Sequence, residues 1–370
     1  MKVSVLKGDL LNGIQSVQNI VSSKINLPIL TNILIETHNN QLRLVATDLD
    51  IGISCLIPVN ILEEGGITLP AKRFADIIKE LPDDQITISA KKNDTVEIDC
   101  LNCRFKIMGV SKEEFPKLPE FKDKEAIYIE QSLLKDMLYL TSFAVSHEES
   151  RYILNGILFE LKNSVLKLVA TDGRRLAFIE KKLPKETKKE VTAIIPIKAV
   201  QEIIRNLKED GGLSIVVSEN QILFEVNNVL IVSRIIEGEF PNYGQVIPKP
   251  SDKRMVVDRE QFLASIRRAN LLSTPDSQAI KFEIFPSRGG SSTQGKIAIS
   301  KTTPDIGEHR EELSIQYQGK ELIIGFNPHY LIDVLKNLKQ SEIGLEFTDA
   351  DKPGVIRLED YVYLVLPMRI

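Results

Sequence analysis

The stretch Gly290-Ser-Ser-Thr-Gln-Gly295-Lys296 comes within one residue of a nucleotide phosphate loop, which would make the chain an ATP- or GTP-driven protein. The next residue is Ile297, where a hydroxyl should hold magnesium, and strand-like alternation follows in place of a helix. Ser287 to Gln294 therefore reads as a hairpin loop. Cys100-Leu-Asn-Cys103 has the spacing of a metal or redox pair, but a structural zinc site takes four ligands and Cys55 is the only other cysteine. The pair reads as two reduced thiols flanking a two-residue turn. His38, His147, His309 and His329 have no metal-ligand spacing. Asp48 and Asp172 close the same motif, Val-Ala-Thr-Asp, and a carboxylate repeated in a fold-defining motif is expected to fix a turn. No nucleophile, base and acid assemble. The chemistry expected is that of a binding scaffold, with no catalytic residue, metal or cofactor.

Composition sets the class. The 370 residues are 43% hydrophobic and 26% charged, a globular balance with room for two or three domains. The longest apolar run is Tyr361 to Leu366, far short of the roughly 20 residues of a membrane span. The N-terminus, Met-Lys-Val-Ser-Val-Leu-Lys-Gly-Asp, is too polar for a secretory signal. Three cysteines suit a reducing compartment, so a cytoplasmic protein is expected.

The elements that must carry any function come in three copies. Leu42-Arg-Leu-Val-Ala-Thr-Asp48 returns as Leu166-Lys-Leu-Val-Ala-Thr-Asp172, and more faintly as Ile297-Ala-Ile-Ser-Lys-Thr302. Glu114-Phe-Pro116 returns as Glu239-Phe-Pro241. Apolar residues at helical spacing recur as Leu11/Ile14/Val17, Leu134/Met137/Leu140 and Leu263/Ile266/Ala269, and again as Phe74/Ile77/Ile78, Val200/Ile203/Ile204 and Leu331/Val334/Leu335. These markers predict three copies of one domain, over residues 1–122, 127–250 and 254–370, joined by proline- and charge-rich linkers. Each copy is expected to hold two helices and about eight strands, an α+β arrangement with helices on one side of antiparallel sheet.

Charge is unevenly spread. Net charge is −4, yet the six helix windows 8–22, 71–81, 131–146, 197–208, 259–272 and 327–340 hold twelve Lys/Arg against seven Asp/Glu. A basic helical surface on an acidic protein attracts phosphate locally and repels it elsewhere. With no Trp and 6% aromatic residues, contacts to the nucleic-acid backbone are expected, without base stacking.

Taken together, the chain resembles the bacterial DNA sliding clamps, the β subunits of DNA polymerase III, along its whole length. The resemblance rests on Leu27-Pro-Ile-Leu30, the Val-Ala-Thr-Asp motifs, Ser146-His147, Arg151-Tyr-Ile-Leu-Asn-Gly156, Thr171-Asp-Gly-Arg-Arg-Leu176, Glu239-Phe-Pro241 and Leu366-Pro-Met-Arg-Ile370. It implies a head-to-tail homodimer forming a pseudo-six-fold ring, helices inside and sheet outside, that encircles duplex DNA and tethers the replicative polymerase. The joint would use Phe105 and Ile107 of one copy and Leu271 and Leu272 of the next. A groove for short peptides of polymerase, clamp loader and repair proteins would be lined by Leu154, Thr171, Gly173, Arg174, Arg175, Leu176, Pro241, Val246, Leu364, Leu366, Pro367, Met368 and Arg369. DNA contact is implied for Lys24, His147 and Tyr152; Arg73, Lys198, Arg205 and Arg267 are added on charge. The chain departs from the family at Gln245, Glu148, Ile153 and Ile370. Two other readings stay open on the residues alone: a magnesium-dependent enzyme on nucleic acid with dispersed carboxylates, and a monomeric peptide-binding adaptor.

Overall fold

A computed structural model describes residues 1–21, 27–119, 125–251, 253–287 and 294–370. Each copy supplies two helices: α1 (Lys7–Val17) and α2 (Ala71–Glu80), α3 (Gln131–Thr141) and α4 (Ile197–Asn206), α5 (Arg259–Asn270) and α6 (Pro328–Asn337). The first copy adds strands β1 (Lys2–Leu6), β2 (Asn32–His38), β3 (Gln41–Thr47), β4 (Ile51–Pro58), β5 (Asn60–Glu63), β6 (Gly66–Pro70), β7 (Gln85–Ala90), β8 (Thr95–Cys100) and β9 (Cys103–Met108). The second adds β10 (Ile127–Glu130), β11 (Gly156–Lys162), β12 (Val165–Thr171), β13 (Arg175–Lys182), β14 (Val191–Pro196), β15 (Gly212–Val217), β16 (Gln221–Val226) and β17 (Val229–Arg234). The third adds β18 (Arg254–Asp258), β19 (Ile280–Phe285), β20 (Gly295–Thr303), β21 (Gly307–Ile315), β22 (Leu322–Phe326), β23 (Glu342–Glu346), β24 (Gly354–Arg357) and β25 (Tyr361–Val365).

The helices form where the apolar spacing predicts and bury most of that stripe, with Leu11, Ile77, Leu140 and Ile204 only half-buried. Leu10, Ile14 and Val17 of α1 are fully buried, as are Phe74 and Ile78 of α2. Each such side chain contributes roughly 1.5–3 kcal/mol on burial. Two starts are capped: the Asp258 carboxylate accepts from Gln261 N (2.8 Å), and the Asn327 side chain from His329 N (3.0 Å) with Pro328 next in line. Helices end earlier than the charge windows assume. α1 and α3 tighten into 3₁₀ turns over Gln18–Ile20 and Ser142–Ala144. In α3 the Thr141 hydroxyl bonds back to Met137 O (2.9 Å), a side-chain bond that competes with the helix ladder.

The sheets do not respect the copy boundaries. One sheet of the first copy runs β5-β1-β7-β8-β9 and one of the third copy runs β21-β20-β19-β22. Between them in sequence, two eight-stranded sheets each join two copies: β10-β15-β16-β17-β4-β3-β2-β6, and β14-β11-β12-β13-β25-β24-β23-β18. The joining pairs are β17 on β4 and β25 on β13, both antiparallel. The described chain therefore packs as two compact units: Met1–Lys135 with Lys198–Ile235, and Asp136–Ile197 with Ile236–Ile370. The central copy is divided between them. Among the described residues, no helix is long and apolar enough to cross a membrane.

Candidate partner groove, cationic helices and open strand edges

The Val-Ala-Thr-Asp motif builds the same turn twice. The Asp172 carboxylate accepts from Arg174 N (2.8 Å) and Arg175 N (3.0 Å), while Thr171 Oγ1 donates to Arg175 O and accepts from Gly173 N. Asp48 and Thr47 repeat this with Asp50 N, Ile51 N, Ile51 O and Leu49 N. The expectation that these aspartates fix turns holds. Gly173 has φ +85°, the left-handed region that suits glycine, whereas its counterpart Leu49 bears φ +79° with a side chain.

That second turn delivers Arg174, Arg175 and Leu176 to the head of β13. Arg175 is 7% exposed and fully engaged. Its guanidinium donates to Asp172 (3.0 Å), Asp333 (2.7 Å) and Phe143 O (2.5 Å), and lies 4.6 Å over the Tyr330 ring. An arginine held this way is a framework element that locks α6 to β13. Arg174 and Gly173 are exposed beside it.

Leu176 pairs with Leu364 across β13 and β25, and the two form a cluster with Leu158, Val169 and Ile194. Ile153, Phe178, Ile236, Phe240, Tyr243 and Ile247 pack against it, half-buried. Tyr243 stacks on Phe178, ring centroids 5.7 Å apart, and burial pushes its hydroxyl above the usual tyrosine range. Around this floor Leu154 and Pro367 are half-buried, and Pro241, Val246 and Leu366 are exposed. The C-terminal segment is tied down by backbone: Leu366 N donates to Arg174 O (2.8 Å) and Met368 N to Gly325 O (2.8 Å). Leu176, Leu364 and Leu366 are thus brought to one place. Met368 and Arg369 run on along β22, and Met368 pairs with Gly325 there. The sequence reading missed Leu158, Val169, Phe178 and Tyr243. For Leu158, Val169 and Phe178 the signal is the period-two alternation of β11, β12 and β13, whose one face fills this cluster, whereas Tyr243 lies in a 3₁₀ turn outside these strands.

The proposed DNA contacts are scattered over these elements. Lys24 lies outside the described residues, as does most of the loop that resembled a phosphate loop, 288–293. Arg73, Lys198, Arg205 and Arg267 are exposed on helices α2, α4 and α5, and His147 and Tyr152 are exposed before β11. Two of these cations are partly neutralised: Lys198 pairs with Asp48 and Arg205 with Glu202. Glu202 is buried, so desolvation holds its carboxyl above the usual range despite Arg205. The repeat exposes a regularity that charge counting missed. Lys72 and Lys79 on α2 correspond to Lys198 and Arg205 on α4 and to His329 and Lys336 on α6. Seven residues apart is two helical turns, so each pair shares a face.

Two strand edges stand apart from the sheets that join copies. β9 is almost wholly exposed, with Phe105 at 39% and Met108 at 63%, and outward residues of β21 are exposed as well. Leu271, just after α5, is 81% exposed. Cys55, Cys100 and Cys103 are free thiols, and burial raises the Cys100 thiol above its ordinary range. Among the described residues, no three His, Cys, Asp or Glu side chains gather as a metal site.

Comparison with known proteins follows this geometry closely. Models of the DNA polymerase III beta subunit match in register: the N-terminal domain over residues 1–119, the central domain over 128–242 and the C-terminal domain over 244–369. The beta sliding clamp of Chlamydia pneumoniae is 33% identical over 371 residues, covering 100% of this chain and 99% of that protein. That of Bacillus subtilis is 34% identical and covers both chains completely. The solved sliding clamp of B. subtilis superposes with a TM-score of 0.93 over 100% of this chain and 99% of its own, at 34% identity. The sliding clamp of Bartonella birtlesii, solved bound to griselimycin, gives 0.93 at 32% identity with both chains fully covered. The chain belongs to the DNA polymerase III beta subunit family, the sliding clamps.

Proposed function

We propose that this chain closes head-to-tail with a second copy into a ring around duplex DNA, and holds the replicative polymerase there through short peptides bound at the Leu176–Leu364 groove. As a clamp it is a processivity factor of replication with no catalysis of its own, and we place it in the cytoplasm. The three repeats serve as its domains.

The internal strand register is the observation that carries the ring. Gly52 pairs with Val232 at the first junction and Leu176 with Leu364 at the second. These are repeat-equivalent pairs. The motif threonines Thr47, Thr171 and Thr302 face Gly52, Leu176 and Glu308. Continuing the register sets Glu308 against Lys106 of a second copy, His309 against its Phe105 and Gly307 against its Ile107. Leu272 holds the repeat position of Phe143, whose ring lies 5.8 Å from Tyr363. Tyr363 corresponds to Phe105, so Leu272 meets Phe105 across the joint. An open, partly apolar edge strand is a liability that such pairing removes, and head-to-tail contacts close into rings when the rotation allows.

The exposed cations of the helices support sequence-independent, salt-sensitive contact with phosphate, to which the register adds Lys72, Lys79 and Lys336. Residence on DNA then comes from topology, and a tethered polymerase gains effective concentration at the primer end. Small-angle scattering should give twice the chain mass and the distance distribution of a hollow ring. Lys106→Glu or Glu308→Lys alone should raise the dimer dissociation constant about tenfold, on the scale of a close interfacial charge pair, and the double variant should restore it. A solid particle of single-chain mass at all concentrations sinks the ring. Loaded onto nicked circular DNA, the clamp should be retained until the circle is cut; retention after cutting would mean site binding without encirclement.

A further inference from the structure

The third copy carries a cation where the other two carry a methyl group. Lys301 on β20 stands at the repeat position of Ala46 and Ala170, one residue before the motif threonine. It is 4% exposed, and among the described residues no carboxylate pairs with it. Its three N–H groups all go to the segment that follows α5: Ser277 O (2.6 Å), Ser277 Oγ (2.8 Å) and Ala279 O (2.9 Å). Two residues further along β20, Thr303 Oγ1 donates to Leu272 O (2.6 Å). Burial without a counter-charge holds the ammonium below the usual lysine range. A buried charge is tolerated only where every donor is satisfied, and here one short segment supplies all of the acceptors.

That segment is the one that presents the joint leucines. Leu271 N, Leu272 N and Ser273 N bond back to the carbonyls of Arg268, Ala269 and Asn270, turning the chain out of α5. Thr274 and Ser277 then exchange backbone hydrogen bonds of 3.2 and 3.1 Å. In the other two copies the residues equivalent to Leu272 are Ile20, which is fully buried, and Phe143, whose ring lies 5.8 Å from that of Tyr363. Among the described residues no strand covers Leu271, which is 81% exposed, and Leu272 is only half-buried, so the shape of the pair must be held from behind. Lys301 and Thr303 hold it, at two points on one face of one strand.

We propose that Lys301, seconded by Thr303, is a positioning residue for ring closure: it fixes the 271–279 segment so that Leu271 and Leu272 are pre-shaped for the edge strand of a second copy. This rests on the ring reading. Its role is to lower the ordering cost of association, since a joint that is rigid before contact loses less freedom on closing.

Sedimentation equilibrium on the full chain and on the variants Lys301→Met and Thr303→Val tests it, together with amide hydrogen exchange. Lys301→Met should raise the dimer dissociation constant at least tenfold and speed exchange at 271–279, while α6 and β25 keep wild-type protection. Thr303→Val should act in the same direction, about threefold. A wild-type dimer whose constant is unmoved by Lys301→Met overturns the proposal. If Lys301→Met fails to fold, Thr303→Val decides: an unchanged constant overturns it, a raised one supports it. A wild-type chain that never dimerises refutes the ring itself, a different result from either.

Discussion

The N-terminal and central copies build the same groove on the same strands and finish it differently. Leu34, Val45, Phe115 and Ile29 in the first copy stand where Leu158, Val169, Phe240 and Ile153 stand in the second, and each set packs as a cluster. Even the flanking ion pair is repeated, Arg43 with Glu36 (3.3 Å) and Lys167 with Glu160 (3.7 Å). The floor is what changes. The first copy has Gly52 and Ser54 on β4, and the second has Leu176 and Phe178 on β13. Over Gly52 lies Leu118 from the first linker; a Cβ on that glycine would meet Leu118 Cδ2 at 2.2 Å. The counterpart of Leu118 is Tyr243, which has no hollow to enter and stacks on Phe178 instead. In the first copy Leu118 covers the floor at Gly52 and lines an open hollow of about 500 Å³ with Leu34, Val45 and Phe115. In the second, Leu176 and Phe178 raise the floor and the linker lies beside it, with Val246 and Leu366 exposed at the rim. On the proposed reading, a peptide site arises from a repeat by enlarging two side chains on one strand.

The largest test of this contrast removes the rim. Deleting Leu366 to Ile370 takes away both backbone ties to Arg174 and Gly325. Binding of a fluorescent clamp-binding peptide should fall at least a hundredfold, with the mass of the ring unchanged. Unchanged peptide affinity would mean that the first groove, or another surface, is the partner site. Next in size is the floor itself. Leu176→Ala should lower stability by about 2–5 kcal/mol, the usual range for a leucine in a packed cluster, and weaken the same peptide about tenfold, as expected for a central apolar anchor. Leu118→Ala should cost about 1–2 kcal/mol, less because Leu118 is only partly buried. It should leave peptide affinity untouched. A loss of peptide binding there would break the comparison, because it would make the first copy's groove a working one.

Much of this is legible in the sequence, and the limits of legibility are physical. The repeat showed through because the Val-Ala-Thr-Asp turn needs its threonine and aspartate as hydrogen-bonding groups in both copies. The helix interiors showed because burial imposes a 3.6-residue period. Helix ends did not, since 3₁₀ turns such as Ser142–Ala144 prolong the apolar pattern beyond the α-helix. The joining of copies into continuous sheets was hidden, because which strands form an edge depends on register between distant segments. Nothing in the sequence sets Gly52 apart from other strand glycines; the fold alone places Leu118 over it. Arg175 is implied as a groove residue by the resemblance, while its hydrogen-bonded, buried setting is not legible because Asp333 and Phe143 O lie far off in sequence. Lys301 reads in sequence as one more surface lysine, and only burial distinguishes it.

The smallest predicted effect is the one with the sharpest sign. The turn before each floor residue contains one left-handed position, Leu49 in the first copy and Gly173 in the second. A side chain there strains the backbone, while glycine costs entropy in the unfolded chain. At Gly173 an added Cβ would also meet the Arg151 guanidinium at 2.7 Å, the same group whose Nη1 donates to Asp172 O (2.9 Å). Gly173→Ala should therefore destabilise by about 1 kcal/mol or slightly more. Leu49→Gly should stabilise, by roughly 0.5 kcal/mol, because relief of left-handed strain outweighs the added chain entropy. Urea unfolding midpoints at fixed m-value measure both. Shifts of the same sign would show that the two turns are not held in the same conformation. Opposite signs would confirm that one motif, Thr-Asp with its two backbone acceptances, imposes its geometry whatever residue it must bend.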